Sequence, residues 1–235
     1  MDKKVVLEVY ADVRHLAIRV GEKHHVAFAQ GIAAIDRVLR LVFYLVYDGK
    51  TAENAADFLA RCREYFSFEI RTVLTDNGKG FSNHPFKGRS GSTTDKVGLF
   101  DRACGEDTEH RLTKLGTLKT NGMVERASLT IKSATFHRQA YISRRELSTS
   151  LADFLLHYNL RRRHESLVRE LNVRTPIDVC IKCLGIQPDL FSKNHLQFGN
   201  ICVALQRECG QNNNNIIYQY NYQHKLNQQI ALTFK

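Results

Sequence analysis

Phosphate handling is the first chemistry that this sequence could support. Between His110 and Arg174, 13 Lys or Arg stand against five Asp or Glu, which leaves +8 within 65 residues. Lys114, Lys119, Arg126 and Lys132 flank one glutamate, Glu125, and the run Arg161, Arg162 and Arg163 closes a later helical stretch. Such residues neutralise phosphates without selecting a base sequence, although a solvated helix face has the same composition. Two carboxylates add a second possibility. Asp76 opens an Asp-Asn-Gly turn at the end of a strand-like run, and 48 residues separate it from Glu125. On residue type alone, Asp76 is a turn former and Glu125 a surface charge. Cys180 and Cys183 have C-x-x-C spacing, but a zinc site needs a second pair, which Cys202 and Cys209 supply poorly. Core packing on a short helix is the better reading of them.

The elements that would carry these residues follow from hydrophobic pattern. Residues 5–13, 24–35 and 40–47 are rich in β-branched and aromatic types and read as three antiparallel strands. Thr51 caps a helix in which Ala55, Phe58, Leu59 and Cys62 recur at helical spacing. The run Ile70 to Leu74 predicts a strand, with Asp76 just beyond its carboxyl end. Residues 82–98 are Gly, Ser and Thr rich and read as a loop. A short helix near Phe100 to Cys104, a strand at EHRL and two longer helices follow. The second of these begins at Ser143 with Glu146 completing a capping box, and Leu147, Leu151, Phe154, Leu155 and Tyr158 form its apolar stripe. The sum is a mixed α/β sheet flanked by helices.

With 235 residues, 43% apolar, the chain can bury a sizeable core. No apolar run approaches the roughly 20 residues of a membrane span, and the opening residues lack the long apolar region of a signal peptide. A soluble, cytoplasmic, DNA-associated protein is expected. The formal net charge of +10 and a pI near 9.4 favour polyanionic partners. From Gln211 onward 11 of 25 residues are Asn or Gln, which reads as a disordered low-complexity tail.

Three blocks in order sharpen this picture: LTDNGKGF (74–81), HRLTKLGTLKTNGMVER (110–126) and FLLHYNLRRRHESL (154–167). Together they resemble the integrase-like catalytic core of bacterial insertion-sequence transposases of the Asp-Asp-Glu type. The resemblance runs from about Asp12 to Asn194. It implies a ribonuclease H-like fold over residues 1–170, a helical extension over 171–210 and the tail over 211–235. It further implies a catalytic and metal-binding triad of Asp12, in YADVRHL, with Asp76 and Glu125; Asp36, in AIDR, is the second choice for the first member. The activity implied is cleavage and strand transfer on DNA, supported by two Mg²⁺ or Mn²⁺ ions about 4 Å apart. DNA contacts are implied at Lys114, Lys119, Arg126, Lys132, Arg161, Arg162 and Arg163, and the partners are element-end and target DNA with further copies of the chain.

The chain also departs from the family pattern. Leu115 and Leu118 stand where prolines are common, and Ala127 and Ser128 replace an Phe-Asn pair in the Glu125 helix. Helix-turn-helix modules usually precede such cores, and only 11 residues precede Asp12. A catalytically inactive, transposase-derived DNA-binding protein, or an inhibitor of an intact transposase, is the alternative expectation.

Overall fold

The structure, a computed structural model, describes residues 6–13, 30–66, 68–78, 80–81, 97–113, 122–139 and 141–186, with backbone alone for 6–13, 30 and 184. The expected loop at 82–98 lies mostly outside the described residues, as do residues 24–29 of the second expected strand, Lys114, Lys119, Cys202, Cys209 and the Asn/Gln-rich tail.

Five strands form one mixed sheet: β1 (Val6–Val13), β2 (Gln30–Asp36), β3 (Val42–Tyr47), β4 (Thr72–Thr75) and β5 (Glu109–Leu112). Their order is β3-β2-β1-β4-β5. The first three are antiparallel neighbours, as their close spacing predicts, whereas β4 joins β1 in parallel and β5 joins β4 in parallel. Parallel pairing needs a crossover, and α1 (Ala52–Tyr65) supplies the one between β3 and β4. Thr51 caps α1 as expected, its hydroxyl accepting from the Asn54 N–H at 3.2 Å. One stripe of that helix, Ala55, Phe58, Leu59 and Cys62, is buried. Phe58 and Tyr65 stack on Phe43 with centroids 5.5 and 4.4 Å away. Burying each such ring contributes about 1.5–3 kcal/mol.

The opposite layer holds two consecutive helices in contact with each other, α3 (Gly122–Ala134) and α4 (Arg144–Leu160). Phe136, just past α3, lies against Tyr44, with centroids 6.0 Å apart. Gly31 leaves the room: any Cβ there would overlap the Tyr44 hydroxyl. At the start of α4, Ser143 accepts from the Glu146 N–H at 3.2 Å. The return bond of the capping box goes one residue earlier than expected, from Ile142 N–H to Glu146 Oε2 at 2.7 Å. Leu147, Leu151, Leu155 and Tyr158 are buried along α4, and Asn159 joins them while Phe154 is only half-buried. Among the described residues there are also two short helices, α2 (Leu99–Cys104) and α5 (Glu165–Leu171), and α6 (Pro176–Ile186). Cys180 of α6 belongs to the same hydrophobic cluster as the sheet.

Candidate active site

Strand register decides which aspartates can meet. Val9 of β1 pairs with Thr75 of β4, so Asp76, the next residue, is level with Tyr10. Position 12 lies two residues further along β1, where it pairs with Gly31. Asp12 and Asp76 therefore occupy the carboxyl ends of two adjacent parallel strands, at one end of the sheet. Asp36 pairs with Leu7, three residues the other way from Tyr10, or about 10 Å along the strand.

Asp36 also has another occupation. Its Oδ1 accepts the N–H of Leu39 at 2.5 Å and of Val38 at 3.0 Å, closing the turn between β2 and β3. The side chain is fully buried, and burial pushes its pKa up to about 6 against those two hydrogen bonds and the nearby Arg40 guanidinium. Asp36, the second choice for the first carboxylate, thus closes a turn at the opposite end of the sheet from Asp12. A two-residue register cannot be seen in local sequence, which is why AIDR kept it in contention.

The Asp76 turn is ordered by its own backbone. Asp76 Oδ1 accepts the Gly78 N–H at 2.9 Å, and Asn77 Nδ2 donates to the Thr113 carbonyl at 3.0 Å. Gly78 is needed for close approach. A Cβ there would stand 2.7 Å from Asp76 Oδ1 and 2.8 Å from the Nζ of Lys50, a residue that the sequence reading did not single out. Behind the turn, the Thr75 hydroxyl is 2.8 Å from His110 Nε2, and His110 Nδ1 is 2.5 Å from Asp101 Oδ1. With Nδ1–H donating to the Asp101 carboxylate, Nε2 is the acceptor for the Thr75 hydroxyl. This chain ties β4, β5 and α2 together one residue before Asp76.

Glu125 lies in the first turn of α3, half-exposed, and α3 packs across β1 and β2. Its neighbour Arg126 is exposed. The entry of α3 is pinned by Arg40, whose guanidinium donates to the Met123 sulfur and also faces Glu170 at 3.7 Å. Arg40 belongs to the turn that Asp36 closes, so the first turn of α3, with Glu125, starts on the Asp36 side of the sheet and not at the strand end that Asp12 and Asp76 share. Among the described residues no three His, Cys, Asp or Glu side chains form a metal-sized cluster, and the Asp12 side chain is not among them. In donor type the three positions fit a hard divalent ion, being carboxylates carried by three separate elements.

The basic residues separate into groups. Lys132 is a correction: expected at the DNA surface, it is only 4% exposed, and burial lowers its ammonium to about 8. It follows Val124, Ser128 and Ile131 around the helix, on the stripe that faces the protein interior. Arg161, Arg162 and Arg163 follow α4, where Asn159 bonds to Val42 at the start of β3. Val42 pairs with Ile35, beside Asp36, so the three arginines gather away from the Asp76 end. Arg162 stacks over the Tyr158 ring at 5.4 Å, Arg163 Nε meets Glu165 at 2.9 Å, and Arg161 is exposed. Tyr158 is mostly buried and serves both the core and this stack. His164 is half-buried, and burial lowers its pKa.

Residues 106–176 match the family model described as integrase core domain. The chain is 25% identical over 148 residues to a protein described as integrase ORF3 of Spiroplasma virus SpV1-C74, a match covering 61% of this chain and 40% of that protein. The matched region thus spans under half the length of this curated relative. Among solved structures, the catalytic core domain of BIV integrase superposes with a TM-score of 0.51 at 15% identity, covering 77% of this chain and 97% of that one. A chain of the simian T-cell lymphotropic virus intasome, solved with PP2A regulatory subunit B56 gamma, gives 0.53 at 13% identity, covering 73% and 53%. The architecture is therefore the ribonuclease H-like fold of integrase catalytic cores.

Proposed function

We propose, from the premise that this chain is an integrase-like protein of the DDE transposase type, that it cuts DNA and joins the resulting ends to other DNA. The observation that carries the reading is the shared strand end of Asp12 and Asp76. Glu125 joins them by the resemblance: α3 crosses β1 and β2, with its first turn toward the Asp36 end. In this reading the three carboxylates hold two Mg²⁺ or Mn²⁺ ions. Bound there, such ions would activate an attacking oxygen and stabilise the leaving 3′ oxygen of a phosphodiester.

The chain's own residues have separable tasks. Gly78 N–H holds Asp76 Oδ1 in a fixed direction, so the carboxylate loses little freedom when it becomes a ligand. Asp101, His110 and Thr75 fix the strand end that carries it. Arg126, next to Glu125, is suited to a phosphate near the cut, together with Lys114 and Lys119. Arg161, Arg162 and Arg163 would hold duplex at a distance from the cut, by charge and without base selection. Element-end and target DNA are the expected substrates, and a second copy of the chain is the expected partner on them. A bacterial mobile element is the expected source.

The test uses purified protein with Mg²⁺ or Mn²⁺, supercoiled plasmid, and linear DNA carrying candidate element ends, beside an Asp76→Asn control. Nicking or joining by the unaltered chain and its loss in the control is the expected result. Equal products from both proteins, or none from either while DNA is still bound, would replace the reading with that of a silent DNA-binding protein.

A further inference from the structure

We propose that Lys50 is a DNA-phosphate contact built into the Asp76 turn, and that its ammonium opposes metal loading at that carboxylate. The proposal rests on the DNA-processing reading above, and it concerns a residue outside the triad and outside the basic run of residues 110–174.

The geometry is specific. Lys50 sits between two fixed backbone points. Asn54 Nδ2 donates to the Gly49 carbonyl at 2.7 Å, and Thr51 is the N-cap of α1. Its side chain then runs along the Asp76 loop. A Cβ at Gly80 would be 3.7 Å from Lys50 Cγ, and a Cβ at Gly78 would be 3.0 Å from Cε and 2.8 Å from Nζ. The stem therefore lies over Gly80 and the ammonium over Gly78, at the same point that Asp76 Oδ1 approaches to 2.7 Å. A side chain at Gly78 would therefore displace the Lys50 ammonium, whereas Gly80 only lets the stem pass at ordinary contact distance. Asp48, the other anion on this loop, is already engaged by Arg144, whose guanidinium also donates to the Val46 carbonyl at 2.7 Å.

A cation held beside a metal-binding carboxylate has two consequences of opposite sign. It attracts the scissile or adjacent phosphate, whose negative charge arrives at the same place. It repels a divalent cation competing for the same carboxylate, so metal binding without DNA is weaker than the carboxylates alone would give. DNA and metal would then load together, since the arriving phosphate offsets the charge of the ammonium near Asp76.

The test compares the full-length unaltered chain with Lys50→Ala and Lys50→Arg. Binding of labelled duplex is measured by anisotropy in EDTA across salt concentrations, and binding of Mn²⁺ to DNA-free protein by electron paramagnetic resonance. Lys50→Ala should weaken DNA binding about 3- to 10-fold and reduce the salt slope by about 0.9, the loss of one phosphate contact. The same variant should bind Mn²⁺ about 3-fold more tightly. Lys50→Arg should restore DNA affinity and the salt slope. A merely structural lysine would leave the slope unchanged and would weaken Mn²⁺ binding or leave it alone, and either result overturns the proposal. Failure of the underlying reading looks different: Asp76→Asn would bind Mn²⁺ as well as the unaltered chain does. The DNA measurement in EDTA decides the Lys50 contact in either case.

Discussion

Asn159 and Val42, 117 residues apart in sequence, are bonded to each other twice. Asn159 Oδ1 accepts the Val42 N–H at 2.9 Å, and its Nδ2 donates to the Val42 carbonyl at 2.8 Å and to the Tyr65 hydroxyl at 2.8 Å. The side chain pairs with the outer edge of β3 as another strand would, and it joins α4 to α1 around that edge. Asn159→Ala leaves the buried Val42 N–H without its acceptor, costing about 1–3 kcal/mol, and removes one of the bonds to the Val42 carbonyl and the Tyr65 hydroxyl, which keep each other at 3.1 Å. We expect a loss of about 2–4 kcal/mol in urea unfolding. A loss below about 1 kcal/mol would mean that water replaces the amide there.

His110 offers a second test, of positioning. Thr75→Val keeps the shape of a fully buried side chain but removes the hydroxyl facing His110 Nε2, and should cost about 1–2 kcal/mol. Since Thr75 precedes Asp76, the variant should also raise the metal concentration needed for half-maximal DNA cleavage while fold and DNA affinity persist. An unchanged metal dependence at reduced stability would confine the Asp101–His110–Thr75 chain to a structural role.

Asp36 predicts a pH dependence with a definite sign. Its folded pKa of about 6 lies above the ordinary value of 3.8, because burial penalises the charged form. A carboxyl of this kind favours the folded state while protonated, and the advantage fades as pH rises from about 4 to about 6. The span corresponds to about 3 kcal/mol. The unaltered protein should therefore lose stability relative to Asp36→Asn across that window and run parallel to it above. Parallel curves throughout, from urea melts at pH 4.5, 5.5 and 7, would show that Asp36 is not penalised by burial.

These residues also mark what sequence can and cannot reveal. Thr51 and Ser143 were legible as caps because a cap is a local arrangement of three or four residues, and the buried stripes of α1 and α4 follow from period alone. The Asp76 turn was legible for the same reason. The choice between Asp12 and Asp36 needed the pairing register of β1 with both β2 and β4. Lys132 was readable in principle: it stands four residues after the buried Ser128 and eight after Val124, on a stripe whose charge disguised it. Lys50 had no such signal, since only the fold brings the β3–α1 loop against the glycines of the Asp76 turn. Asn159 is part of a recognisable motif, but its bonding partner is nowhere near it in sequence.

The arginines after α4 should differ in what they give to DNA binding, because their surroundings differ. Arg161 is exposed, Arg162 is partly committed to the Tyr158 ring, and Arg163 already has Glu165 at 2.9 Å. Each phosphate neutralised contributes about −0.9 to the slope of log affinity against log salt. Arg161→Ala should thus reduce the slope by nearly that amount. Arg163→Ala should reduce it less, since removing the arginine also frees Glu165, which weakens binding without removing a clean phosphate contact. Arg162→Ala should lower stability slightly through the lost stack, worth about 0.5–1 kcal/mol at an exposed site, as well as lowering affinity. Anisotropy between 50 and 200 mM salt with a mixed-sequence duplex measures all three. Because these residues lie away from the Asp76 end of the sheet, none of the three variants should change the metal concentration that cleavage requires. A triple variant with an unaltered slope would show that the cluster is solvated surface and that DNA is held by other basic residues.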